Sequence, residues 1–172
     1  MKKTTLIALT ALAAIALLVP AGSAMAQNTD TATATATATI VSPISIELES
    51  NLAFSDIVVG ASAGTVVVSP GGTRTVGTGL VGLNEGNVSA ASFTVGGTPN
   101  RAFAIGLPGS ITLSGSGGGS MTVDTFVSSL GTANNLGTTG SVTLNVGATL
   151  NVSASQTAGN YTGNFDVTVT YN

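Results

Sequence analysis

Gly60-Ala61-Ser62-Ala63-Gly64 has the spacing of a nucleophile elbow, in which a serine on a sharp strand-to-helix turn attacks a carbonyl carbon. That chemistry needs a base to take the hydroxyl proton, and the chain contains no histidine. No helical periodicity follows Gly64 either, so Ser62 reads as a small residue in a loop between strands. Gly77-Thr78-Gly79-Leu80-Val81-Gly82 has the G-x-G-x-x-G spacing that brings a pyrophosphate against a helix N-terminus. Leu83-Asn84-Glu85-Gly86-Asn87 follows, which is a turn sequence rather than a helix start. Glu47 and Glu49, two apart, would share one face of a strand, where paired carboxylates can exchange protons or hold calcium. Their neighbours Ile46 and Leu48 take the opposite face, so the glutamates read as a solvated edge that discourages unwanted strand pairing.

The remaining candidates are thinner. Asp56, Glu85, Asp124 and Asp166 are scattered without metal-ligand spacing, and a chain with no His and no Cys is poorly equipped for zinc or most transition metals. Asn87-Val88-Ser89, Asn151-Val152-Ser153 and Asn160-Tyr161-Thr162 match the glycosylation sequon, as a Thr/Ser/Asn-rich chain will by chance. There is no Trp, and the Phe residues fall mostly on the apolar phase of candidate strands, where core is their expected role. We expect no catalytic residue, no metal and no cofactor.

What must position any functional residue is an exported β domain. Lys2 and Lys3 precede an uncharged apolar run from Leu6 to Val19, and Ala24-Met25-Ala26 supplies a small-x-small cleavage site before Gln27. The run is short for a membrane span, so residues 1–26 read as a bacterial secretory signal. No later segment would span a bilayer. Processing would leave Arg74 and Arg101 against seven acids, a net charge of −5 that excludes nucleic acid and anionic membranes as partners. The absence of cysteine means no disulfide staples the domain despite an oxidising destination. Only 6% of residues are charged, so solubility rests on Thr, Ser and Asn, as in many surface-assembled β proteins.

After the signal, apolar residues recur at spacing two between Gly and Pro turns. Strands are expected at Ile44–Leu48, Leu52–Phe54, Val66–Val68, Ala91–Val95, Phe103–Leu107 and Ile111–Leu113, with a glycine-broken one over Arg74–Val81. Met121 and Val123 are out of phase with Phe126, which predicts a bulge near Asp124. Ser114–Ser120 (SGSGGGS) reads as a long hairpin loop. Val142 to Val152 and Tyr161 to Tyr171 alternate most strongly, and the pattern predicts that they pair as an antiparallel hairpin. Many short strands with such turns give an all-β, immunoglobulin-like antiparallel sandwich over residues 42–172, with a β-solenoid as the minority alternative.

Between signal and sandwich, Thr and Ala alternate from Thr31 to Thr39 and run in register into Ile40 and Val41. On a strand, Ala32, Ala34, Ala36, Ala38 and Ile40 would share one face and the threonines the other. Residues 27–41 are therefore a candidate donor strand, completing either this sheet or a neighbour's. At the other end Phe165, Val167, Val169 and Tyr171 alternate up to Asn172. This arrangement resembles subunits of bacterial chaperone–usher fimbriae, where an incomplete immunoglobulin-like domain receives a strand from a chaperone and then from the next subunit. The resemblance implies self-association into fibres, a periplasmic chaperone and an outer-membrane usher as partners, and the last strand as the edge they pair with.

Nearly the whole processed chain also resembles a bacterial exported family catalogued as domain of unknown function 4402. The residues that carry this are the Thr/Ala segment into Ile40-Val41-Ser42-Pro43-Ile44, Leu52-Ala53-Phe54, Ala63 to Arg74 (AGTVVVSPGGTR), Met121-Thr122-Val123-Asp124 and the closing alternating segments. Where that family usually has glycine after the Phe, this chain has Ser55. The resemblance implies an exported, fimbria-like β-sandwich and no catalytic residues.

The expected function is thus a non-enzymatic structural or adhesive surface subunit, passing through the periplasm to the cell surface. A monomeric periplasmic or extracellular binding module, such as one for glycans, is the alternative, and a secreted enzyme using Ser62 comes third. The four alanines offer roughly 3 kcal/mol of burial at ~0.8 per methyl, and Ile40 adds about 1.5–3 kcal/mol. An alanine-faced donor is feasible but weak unless Ile40 and Val41 also dock.

Overall fold

The computed structural model describes residues 29–83, 86–131 and 134–172. The expected signal and its cleavage residues Ala24, Ala26 and Gln27 lie outside the described residues, as does Glu85. The chain divides into two units, residues 1–38 and 39–172. In the first, residues 29–38 form neither helix nor strand and are exposed. The second is all-β, and among the described residues it contains no helix.

Its strands follow the period-2 pattern closely. In chain order they are β1 (Ser45–Ser50), β2 (Ala53–Phe54), β3 (Ile57–Val59), β4 (Gly64–Val68), β5 (Arg74–Val76), β6 (Leu80–Gly82), β7 (Val88–Ser89), β8 (Ala91–Gly96), β9 (Ala102–Gly106), β10 (Ser110–Gly115), β11 (Ser120–Ser128), β12 (Asn134–Asn135), β13 (Ser141–Val152), β14 (Tyr161–Thr162) and β15 (Thr168–Tyr171). The main sheet runs β1-β8-β13-β11-β10-β14, with β4 and then β5 attached to β13. Smaller sheets, β12-β9-β15, β2-β7 and β3-β6, supply the second layer. Every ladder is antiparallel. The result is the antiparallel β-sandwich that the alternation implied.

The spine is β13. Leu144, Val146, Ala148, Leu150 and Val152 alternate along it and are all buried. One edge pairs with β11, while the other pairs first with β8, from Ser141 to Val146, and then with β4, from Ala148 to Val152. Gly147 marks the handover. A Cβ there would run into the Val68 carbonyl oxygen and the Ser69–Pro70 backbone, so only glycine lets β4 leave the sheet across β13 at this point.

Two clusters fill the sandwich. Phe93, Val95, Phe103, Leu136, Leu144 and Val146 form the first, which β9 and β15 cover. Val66, Leu80, Val123, Ala148, Leu150 and Val152 form the second, and Phe54, Ile57 and Val59 pack against it from β2 and β3. Phe126 touches both. It reaches inward through the expected bulge, since the β11 register shifts between Asp124 and Val127 and Thr125 takes a φ of 50°.

One expectation fails. The Val142–Val152 and Tyr161–Tyr171 segments do not form a hairpin, because both edges of β13 are occupied by β11, β8 and β4. The later segment splits instead: β14 pairs with β10 and β15 with β9. Gly163 sits at the split, where a Cβ would press on the Thr112 carbonyl oxygen and the Leu113 side chain. The SGSGGGS stretch is a hairpin turn, with Ser114 paired to Ser120 and Gly118 and Gly119 at φ +91° and +82°. Ser55, in place of the family-typical glycine, holds a φ of 63°, the left-handed region glycine enters freely.

Arg74 secures the second layer. Its Nη1 donates to the Phe54 carbonyl at 3.1 Å and its Nη2 to the Leu83 carbonyl at 2.6 Å, tying the ends of β2 and β6 to β5. Charge-assisted bonds of this kind contribute about 1.5–3 kcal/mol each, more when their loss strands a carbonyl. Arg74→Met should therefore lower the denaturant midpoint by the equivalent of about 2–3 kcal/mol. Arg74→Lys should recover little of it, since one ammonium cannot reproduce the fork.

Candidate strand-docking groove

The second cluster is incompletely covered. An open cavity of about 1130 Å³ lies over it, floored by Ile111 and Leu113 of β10, Met121 and Val123 of β11, and Leu150 and Val152 of β13. Leu52, Phe54, Ile57 and Val59 form one wall, and residues 161–166 form the other. Leu48 lines its near end and is 57% exposed, although it alternates in phase with the inward residues of β1. An inward apolar residue left this exposed marks a layer that stops short.

Residues 163–167, the first four of which line this wall, have a distinctive backbone. It belongs to no ladder, and its amides and carbonyls make no backbone hydrogen bond among the described residues. Phe165 anchors it by packing on Phe126, with ring centroids 5.1 Å apart and planes tilted by 42°. A second cavity of about 380 Å³, lined by Leu107, Pro108 and Thr168, opens on its other side. The segment is thus a strap on the rim of an apolar groove, with no backbone partner among the described residues.

The expected site residues fall in three places. Ala32, Ala34, Ala36 and Ala38 are exposed and outside any strand, and Ile40 is 98% exposed. Phe165 and Val167 lie on the strap, whereas Val169 and Tyr171 belong to β15, whose described ladder is with β9. Tyr171 turns its hydroxyl inward on its own domain, accepting from the Thr98 amide at 2.7 Å and donating to the Ser42 carbonyl at 3.0 Å.

The chemical motifs are spread apart. Ser62 sits in the loop before β4, and Gly77–Gly79 forms the turn between β5 and β6, not a helix approach. Glu47 and Glu49 are exposed on β1, and Glu49 accepts a bond from Thr94 Oγ1 at 3.0 Å. Asn151, the acceptor position of one sequon, donates to Asp124 Oδ2 at 2.9 Å. Among the described residues no cluster of three or more His, Cys, Asp or Glu side chains is arranged to hold a metal. Sequence reasoning missed Ile57–Val59 and Val88–Ser89, whose ladders of two or three residues leave little periodicity to read.

The model of the family described as Domain of unknown function (DUF4402) matches residues 44–171, the whole sandwich from the start of β1 to the end of β15. The chain belongs to the DUF4402 family. No curated protein and no solved structure matches it. The DUF4402 match takes in the groove, the strap and Tyr171, and it begins just after Ser42.

Proposed function

We propose that this DUF4402 protein is a non-enzymatic, exported structural or adhesive surface subunit, fimbria-like, that assembles by β-strand addition at the groove. The observation that carries the reading is the strap of residues 163–167, without a backbone partner among the described residues, beside an incompletely covered apolar floor. An added strand would gain ladder bonds at about 0.5–1.5 kcal/mol net apiece and cover Ile111, Leu113 and Met121. The exposed Thr/Ala segment, already alternating, is a donor of suitable length.

Reach favours a neighbour's groove over the chain's own. Ser42 is held by Thr98, beyond the end of β8, whereas the groove begins level with Phe93. Crossing that interval takes up to about 17 Å of extended chain. Ile40 and Val41 would be spent on the crossing, leaving only alanine methyls to dock. In the groove of a second copy Ile40 can dock as well. The alternative, a glycan-binding module, has less to work with: Tyr161, the groove's amphipathic aromatic, already bonds Thr157 at 2.6 Å and Gln156 at 2.8 Å.

A peptide spanning residues 29–41, added in large excess to a protein of residues 42–172, should raise its thermal midpoint by about 5–10 °C, as expected for a ligand near 100 times its Kd. An unchanged midpoint at millimolar peptide would remove the basis of this reading.

A further inference from the structure

We infer that the Tyr171 hydroxyl is a latch that fastens the root of the Thr/Ala segment, so that a pull on this segment reaches the last strand before it reaches β1. The latch follows from the bonding around Ser42, and only the pull rests on the proposed function. The Ser42 amide donates to Thr98 Oγ1 at 2.9 Å. Its carbonyl accepts from Tyr171 Oη at 3.0 Å and from Thr98 Oγ1 at 3.3 Å. Both backbone groups of this one residue are therefore engaged, through bonds spanning most of the domain's sequence. Immediately upstream, Ile40 is 98% exposed, and among the described residues no backbone–backbone bond holds residues 29–41.

The tyrosine is itself held firmly. Its ring fills the space beside Gly97, where a Cβ would collide with the ring and its hydroxyl, and it lies 5.9 Å beneath the Arg101 guanidinium. The hydroxyl also accepts from the part-buried Thr98 amide at 2.7 Å. One phenol thus bridges the exit of β8, the root of the Thr/Ala segment and β15.

The mechanical consequence comes from β1. It is an edge strand of the main sheet, paired only with β8, and its first pair is Ser45 with Gly96. A pull arriving at Ile44 would open that pair first and peel β1 away from its exposed end. With Ser42 fastened, the pull is delivered instead to Thr98, just past the end of β8, and to Tyr171 of β15, and both of these strands pack into the first core cluster. Pro43 stiffens the link between latch and β1, since its ring fixes φ.

Amide exchange on the full chain, without any partner, tests the latch. Ser42 and Thr98 should be protected while residues 31–40 exchange at free-chain rates. Tyr171→Phe should speed Thr98 exchange by about tenfold or more and leave Leu144 unchanged, because a local opening replaces a bonded one. Thr98→Val, which keeps the tyrosine, should free the Ser42 amide by removing its acceptor, so the fastening of Ser42 stays testable if Tyr171→Phe folds poorly. Ser42 exchanging as fast as Ile40 in the unaltered chain would overturn the latch. Single-molecule pulling through residue 29 against a handle on the β10–β11 turn reads the second half. Tyr171→Phe should lower the force of the first rupture, and an unchanged force would overturn the mechanical role. Neither readout requires a strand in the groove, so failure of the peptide experiment and failure of the latch are separate results.

Discussion

Gly147→Ala should cost this protein more than about 3 kcal/mol, enough to deplete the folded state of a domain of ordinary stability. The added methyl meets backbone rather than a side chain: the Val68 carbonyl oxygen, the Ser69 carbonyl carbon and the Pro70 nitrogen all lie inside contact distance of the new Cβ. Side chains can change rotamer, but Pro70 fixes the backbone here, and Val66 and Val68 are buried in place. Relief would require β4 to separate from the second half of β13, uncovering Leu150 and Val152. Gly131→Ala is the internal control, since nothing lies within 4 Å of a Cβ built there. Urea midpoints should fall sharply for the first variant and stay within about 0.5 kcal/mol equivalent of the parent for the second.

Leu113→Asp should weaken capture of the residue 29–41 peptide by about 100-fold or more, a difference of roughly 3 kcal/mol. Leu113 lies on the groove floor and is only partly buried, so the unfilled groove leaves a carboxylate in contact with water. Filling the groove removes that water and traps the charge beneath an apolar strand face with no basic group to meet it, because Arg74 is committed to the Phe54 and Leu83 carbonyls. The free domain should therefore tolerate the substitution far better than the filled one. Val67→Asp, on the outward face of β4, introduces the same charge away from the groove and should leave capture unchanged. Titration of labelled peptide against the three proteins separates the two effects.

Much of this fold was legible in the amino-acid pattern because the buried strands are long and one-sided. The alternation of Leu144 through Val152 gave the spine, and the phase slip between Val123 and Phe126 located the bulge that Thr125 makes. Pairing was harder to read. The alternation of Tyr161 through Tyr171 is continuous in sequence, yet Gly163 must pass close over Thr112, and that contact between distant residues is invisible in a pattern. The Leu52–Phe54 part of the groove wall was legible, but Ile57–Val59 was hidden because its ladder of three residues is too short to show a period. The latch left no signal at all: Thr98 stood in an ordinary Gly-Gly-Thr-Pro turn, and Ser42 gave only its backbone. Candidate donor residues were recognisable because the Thr/Ala repeat is a local property.

The strap provides the most direct test of strand addition. Amide exchange of Gly163, Asn164, Phe165, Asp166 and Val167 should be measured in the domain of residues 42–172, with and without the peptide of residues 29–41. The account predicts rapid exchange without peptide and, with it, protection at alternate residues, because only one edge of the strap faces the groove and amides on a strand alternate between its edges. Unchanged exchange along the strap at saturating peptide would contradict it, even if the peptide bound elsewhere.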